Sequence, residues 1–458
     1  GTLSNATLYN GNDYPGTPGL SVTTTGNSTI NNISGGTYGG GLPNLNVASG
    51  TTQLIGNFGG WENVLVSDGG TLVLANNQAI GSNGVGNITV NSGGTLNLGG
   101  SSQYTQNVLT AGTLTNGSFS GATISTRGGT VSGIGGGASL TALSSTTTLL
   151  GTNYYTGSTS INSGATLLGG AANALSVASA TTIQTGGVLN LGGVSQAVNN
   201  LTLNGGTLSN GSLTTPINSS GGAISNVGGP TSLSNNGGTT TFQNTNSYTG
   251  TTTINHGVLT ASNANAFSPT SVMNVTLDGA LNLGGYTQTI NTLNLVGGTL
   301  ENGSVVGTVN TTGGVIGNIT GPINLNSYSN SNGATQITGS TPLTGTITVT
   351  GGYFQPTVSN IISPNATLVL NPGDDWPAAF DLNGTTQTIN NITLNQNTIQ
   401  NGTLNGAITS LGGAIQNISG TVSLTNISGN TGIQNSNITG PIVVNGGTVT
   451  NNGTVINV

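Results

Sequence analysis

The stretch GTLTNGS at 112–118 returns as GTLSNGS at 206–212, GTLENGS at 298–304 and NTIQNGT at 397–403. The offsets are 94, 92 and 99 residues. Read as columns, the third position is Leu114, Leu208, Leu300 and Ile399, always apolar and therefore expected to face a core. The fourth is Thr115, Ser209, Glu301 and Gln400, always polar and therefore outward. Unbroken period-two alternation then turns Asn116, Asn210, Asn302 and Asn401 back toward the core side. Each precedes Gly or closes a turn, where Asn tolerates left-handed backbone and can satisfy corner groups.

Three other markers travel with this one in fixed order. LNLGG stands at 96–100, 189–193 and 281–285, with FDLNG at 380–384. GGTVSGI, GGAISNV, GGVIGNI and GGAIQNI begin at 128, 221, 313 and 412. YTGSTSINSG, YTGTTTINHG and LTGTITVTGG begin at 155, 248 and 343. Self-similarity at a fixed long period marks a tandem array whose members bury their apolar faces only by stacking. Gly, Asn, Thr and Ser are too dense for helix interiors. The apolar–polar alternation in runs of four to six, broken by GG, NG and SGG, reads as strands and turns.

Three short strands with their turns need roughly 18–20 residues per coil, so each unit should hold about five coils. The fold expected is all-β, a right-handed parallel β-helix or β-solenoid built from tandem repeats of 92–99 residues. The hand follows the rule for parallel crossovers. Residues 1–50 form an irregular N-terminal portion beginning with a partial repeat, and 51–458 a continuous solenoid. Its units are expected at about 58–154, 155–247, 248–342 and 343–458.

Composition narrows the function. Of 458 residues, 81 are Gly, one is Lys or Arg, eight are Asp or Glu and one is His. So few aromatics leave folding entropy hard to offset unless the clusters of Val, Ile, Leu and Thr are stacked. With Arg127 as the single cation, phosphates cannot be neutralised, so no nucleic-acid partner is expected. A polybasic membrane contact fails for the same reason, no apolar run reaches the length of a spanning helix, and no membrane insertion is expected. Lack of Cys rules out disulfides and thiolate metal sites. The chain opens at Gly1 without a basic-plus-apolar leader, as a mature or trimmed product would. Few titrating groups predict stability almost indifferent to pH from acid to neutral.

GTLSNAT (1–7) opens the chain and GTVTNNGT (447–454) closes it, and neither resembles the polar cap a solenoid requires. Unpaired strand edges are normally protected. Two readings follow: a piece of a longer passenger capped elsewhere, or a subunit that self-associates head to tail through its Gly1 and Val458 ends.

YTGSTSINSGATLLGGAANALS (155–176) and YTGTTTINHGVLTASNANAFS (248–268), each leading into an LNLGG strand, give the units a family likeness. They resemble the autotransporter-associated β-strand repeats of bacterial secreted passengers, over roughly residues 50–458. The resemblance implies a parallel β-helix, secreted or at the cell surface, serving adhesion or structure. The sequence departs from that family in having no counterpart of the C-terminal membrane barrel used for export.

Some β-helices cleave polysaccharides, which takes clustered carboxylates. Unit alignment sets His256 against Asp68, Ser163 and Gly351, and Arg127 against Ser220, Thr312 and Leu411. Asp278 stands where other units have Gly186 or Gly93, and Glu301 lies in the outward polar column. Asp13 and Glu62 fall in the irregular start. Inert sister positions predict that none of these pairs, so no enzyme, catalytic residue or cofactor is expected. Asp374 and Asp375 in NPGDDWP (371–377) are the exception. They make a weak Ca²⁺ site, or place Trp376 to meet sugar, against the plainer reading of a solvated loop with a packed Trp.

N-x-S/T occurs at Asn116, Asn210, Asn302 and Asn401, and at Asn27 and Asn87. Inward placement argues against glycans on the repeat Asn and leaves Asn27 and Asn87 open. Ice recognition needs regular outward Thr rows, which the unit columns interrupt with Asn, Ser and Gly and with Tyr155 and Tyr248. The function expected is an extracellular structural protein, a filament or surface-fibre subunit for attachment or matrix formation. The alternative is an adhesin passenger that binds a host surface or glycan; an ice-binding protein or polysaccharide-active enzyme ranks lower.

Overall fold

The computed structural model describes residues 1–4, 7–8, 20–32, 34–35, 43–56, 58, 60–80, 85–328, 333–373, 378–452 and 455–457. The protein is an all-β parallel β-solenoid of about 21 turns. Every regular element among the described residues is a strand. The chain divides into two compact units: Gly1–Asn218 with Gly222–Thr231, and Ser219–Gly221 with Ser232–Val458.

Within the first unit, the alternation read from sequence becomes files of side chains running from coil to coil. Leu45, Val64, Ile88, Val108, Ile124 and Leu140 lie in register on successive strands, all at most 1% exposed. A second file holds Leu72, Leu96, Leu114, Val131 and Leu149. Each coil therefore covers its apolar side chains with those of the coil before and after it, and removal of that surface from water drives the stacking. The second unit repeats the device: Met273, Leu293, Val309, Leu325, Ile347, Leu368, Ile392, Ile408 and Leu424 form one file. Leu114, Leu208, Leu300 and Ile399 are all fully buried, as expected from the columns.

Most of the buried hydroxyls find partners, several of them across coils, because a buried hydroxyl without one is costly; Thr110 is the exception among the described residues, its hydroxyl buried and unbonded. Thr24 and Thr52 are 2.6 Å apart, and Thr147 donates to Thr126 at 2.7 Å. In the second unit Ser410 meets Thr431 at 2.7 Å, and Thr431 donates to Asn426 at 2.7 Å.

Coil length differs from the expected 18–20 residues. Asn210 and Asn226 meet across adjacent coils 16 residues apart, whereas Thr367 and Asn391 pair 24 apart. Corner loops absorb the difference without disturbing the files.

The repeat Asn residues do not face the core. Asn116 and Asn210 are exposed, and Asn302 and Asn401 half-exposed. Each has a left-handed φ, at 62°, 56°, 59° and 59° respectively. One left-handed residue interrupts the alternation, so the Asn side chain stays outside and the next residue takes the inward place. That residue must be Gly: a Cβ on Gly117, Gly211, Gly303 or Gly402 would overlap Leu98, Leu191, Leu283 or Leu382 of the preceding coil. The Asn–Gly pair is thus a corner piece, and its sequons lie on the surface.

Candidate functional site

The corner Asn residues bond sideways to their neighbours in the stack. Asn116 donates to Asn97 Oδ1 (3.3 Å), Asn226 to Asn210 (3.2 Å), Asn318 to Asn302 (3.3 Å) and Asn417 to Asn401 (3.0 Å). Asn97, Asn190 and Asn282 each accept the backbone N–H two residues on, from Gly99, Gly192 and Gly284, fixing the next turn.

Asp381 takes the same place in FDLNG and accepts the N–H of Asn383 at 3.0 Å. It is 8% exposed, and amide donors surround it: Gln355, Gln400 and Asn401, each at 3.3 Å. The sequence reading passed over Asp381. Its signal was an Asp where the sister units keep Asn.

A set of buried glutamines was also missed. Gln103, Gln196, Gln288 and Gln387 are at most 1% exposed, and each follows the LNLGG-type marker by three residues. Their amides clasp a loop of the preceding coil at both ends. Nε2 donates to the carbonyls of Asn76, Ala171, Asn263 and Val358 at 2.7–2.9 Å. Oε1 accepts the N–H of Ile80, Leu175, Ala266 and Ile362 at 2.9–3.3 Å. An amide carries donor and acceptor on one planar end, which is what a loop offering one C=O and one N–H demands.

Two of these loops are also tied to a buried tyrosine. Tyr155 OH meets Thr159, which meets Ser179 (3.0 and 2.8 Å); Tyr248, Thr252 and Ser271 repeat the chain at 2.7 and 2.9 Å. Burial pushes the Tyr155 pKa up to about 12, against the Thr159 hydrogen bond, and raises Tyr248 by the same cause. Both tyrosines are therefore interior, and they do not interrupt an outward row as the sequence reading held.

The ionisable residues are placed as follows. His256 Nε2 lies 3.5 Å from Asp278 on the next strand, both side chains exposed, so these two do pair. Unit alignment hid this, because it compares residues a whole unit apart while the stack joins residues one coil apart. Arg127 is exposed, and Glu301 accepts a hydrogen bond from Asn282 at 2.9 Å. Asp13 and the Ca²⁺ candidates Asp374 and Asp375, with Trp376, lie outside the described residues, as does Val458. Among the described residues no three His, Cys, Asp or Glu side chains gather.

Outward Thr residues are more regular than the unit columns suggest. Thr51, Thr71, Thr95, Thr113, Thr130 and Thr148 occupy one file over six successive strands. The next outward file holds Gln53, Val73, Asn97, Thr115, Ser132 and Leu150, so the face carries a single Thr rank and not a lattice.

No protein-family model matches this chain, and no curated protein matches it in sequence. The fold fits the β-helix passenger architecture that the repeat markers resemble.

Proposed function

We propose that this chain is an extracellular structural protein, a β-solenoid subunit of a filament or surface fibre, of the kind carried by autotransporter passengers. The observation that carries the reading is the doubled coil-to-coil bonding. Parallel backbone ladders run through each unit, and clasping glutamines, corner asparagines and interior hydroxyls add a second set of inter-coil bonds. These devices serve cohesion along the stack and spend few residues on anything else. One tryptic site, Arg127, in 458 residues suits an exposed life.

Head-to-tail self-association is part of the proposal. Thr2–Ser4 pairs in parallel with Ser28–Asn31, and Thr448–Asn452 with Asn430–Gln434. A second copy stacking its strands in the same parallel register would extend these ladders. The proposal includes no catalysis, cofactor, nucleic acid or membrane insertion.

Electron microscopy of the purified 458-residue chain, with light scattering over a concentration series, tests it. Fibres longer than one molecule and mass rising with concentration are expected. Single particles of monomer mass at every concentration would remove the fibre and leave the adhesin passenger.

A further inference from the structure

One face of the first unit departs from the inert pattern of its sisters. Ser102, Ser118, Gly135 and Tyr154 are in register on four successive strands, and all point outward. Their chain neighbours Gln103, Phe119 and Tyr155 fill the core. Tyr154 is 54% exposed, yet a Cβ on Gly135 would overlap its ring at Cε2 and Cδ2. The ring therefore lies down across the glycine of the preceding coil, buries it, and turns its other side to solvent. Two residues beyond Ser102 on the same face, Tyr104 is 43% exposed. Ser120 takes the place beside it, its N–H on the Gln103 carbonyl at 3.0 Å, and Thr156 continues that rank.

Three coil steps separate the tyrosines along the stack, about 14 Å, with one strand repeat of about 7 Å between their ranks. Between the rings lie only Ser118, Ser120, Gly135 and Gly137, so the surface is low and lined with hydroxyls. None of the face residues named is a carboxylate or a cation. In the other sequence repeats Tyr154 is replaced by Ser247 and Pro342, and Tyr104 by Ala197, Thr289 and Thr388. The two rings and the glycine that seats one of them thus occur together on this face.

We propose that this face binds an uncharged, extended polysaccharide, a flat β-linked hexose chain lying along the stack. A pyranose ring presents axial C–H bonds with slight positive charge to the negative face of an aromatic ring, and its equatorial hydroxyls reach the serines alongside. A low surface with no charge suits a flat, neutral chain better than an acidic or branched one. The site is independent of whether the chain forms fibres.

Cellohexaose is the probe, titrated by calorimetry into the full chain, with maltohexaose and a polyuronate oligomer as comparisons. Binding of cellohexaose is expected, weakened about 3- to 10-fold by Tyr154→Ala and by Tyr104→Ala alone, and more by both. Tyr154→Phe keeps the ring and should bind as the parent does. Tyr286→Ala removes a 41% exposed tyrosine of the second unit and should change nothing. Circular dichroism confirms that each variant folds. No binding of cellohexaose, equal binding by both alanine variants, equal loss in Tyr286→Ala, or preference for the polyuronate would each overturn the proposal.

Discussion

Replacing Gln288 by Met keeps the length of the side chain and removes both functions of its amide. In the structure Oε1 accepts the N–H of Ala266 at 2.9 Å and of Phe267 at 3.3 Å, and Nε2 donates to Asn263 O at 2.8 Å. Gln288, Ala266 and Phe267 are all fully buried, so the two N–H groups have no route to water, whereas the half-exposed Asn263 carbonyl can regain it. Orphaning a buried group costs about 1–3 kcal/mol, which for two groups sets the loss at about 2–6 kcal/mol. In a stack held by nearest-neighbour contacts the effect should stay local. Amide exchange over 263–268 should therefore accelerate by roughly 30- to 20,000-fold, since about 1.4 kcal/mol is tenfold. Exchange several coils away should hardly change. Gln416→Met, on an outward half-exposed Gln, is the control and should cost under about 0.5 kcal/mol. An acceleration below about threefold in Gln288→Met would refute the view that the clasp holds the loop.

Other perturbations separate the remaining claims. Gly192 and Gly193 share a φ of +75°, but a Cβ on Gly192 would overlap the Gly169 carbonyl, while one on Gly193 meets open space. Gly193→Ala should lose about 1–2 kcal/mol for left-handed strain, and Gly192→Ala clearly more, read from urea midpoints. Tyr155 and Tyr248 have folded-state pKa values above the unfolded value near 10, so their contribution is intact below pH 10. It falls from there upward as the unfolded chain ionises first, on the order of 1 kcal/mol per pH unit for each tyrosine. Urea midpoints should stay level from acid to neutral pH and decline above pH 10, and Tyr155→Phe should flatten part of that decline. His256→Gln breaks an exposed pair and should leave the midpoint unchanged within about 0.5 kcal/mol.

The sequence alone determined the period, the strand alternation and the stacked parallel architecture. These follow from local rules: alternation gives each strand an inside and an outside, and an isolated apolar face has to be covered by its repeat. That is why Leu114, Leu208, Leu300 and Ile399 were legible as core. The same rule misplaced Asn116 and its sisters, because a single left-handed φ reverses the count, and Asn permits that conformation without requiring it.

Tertiary structure decided which residues are neighbours along the stack. Corner loops make one coil 16 residues and another 24, so the partner of a side chain depends on loop length, which no column of aligned units contains. His256 therefore met Asp278, the six threonines fell into one file, and Gln288 reached a loop 25 residues back. Tyr154 came to lie on Gly135 for the same reason. The core was written in the alternation of each strand, whereas the surface that meets other molecules was set by how the coils came into register.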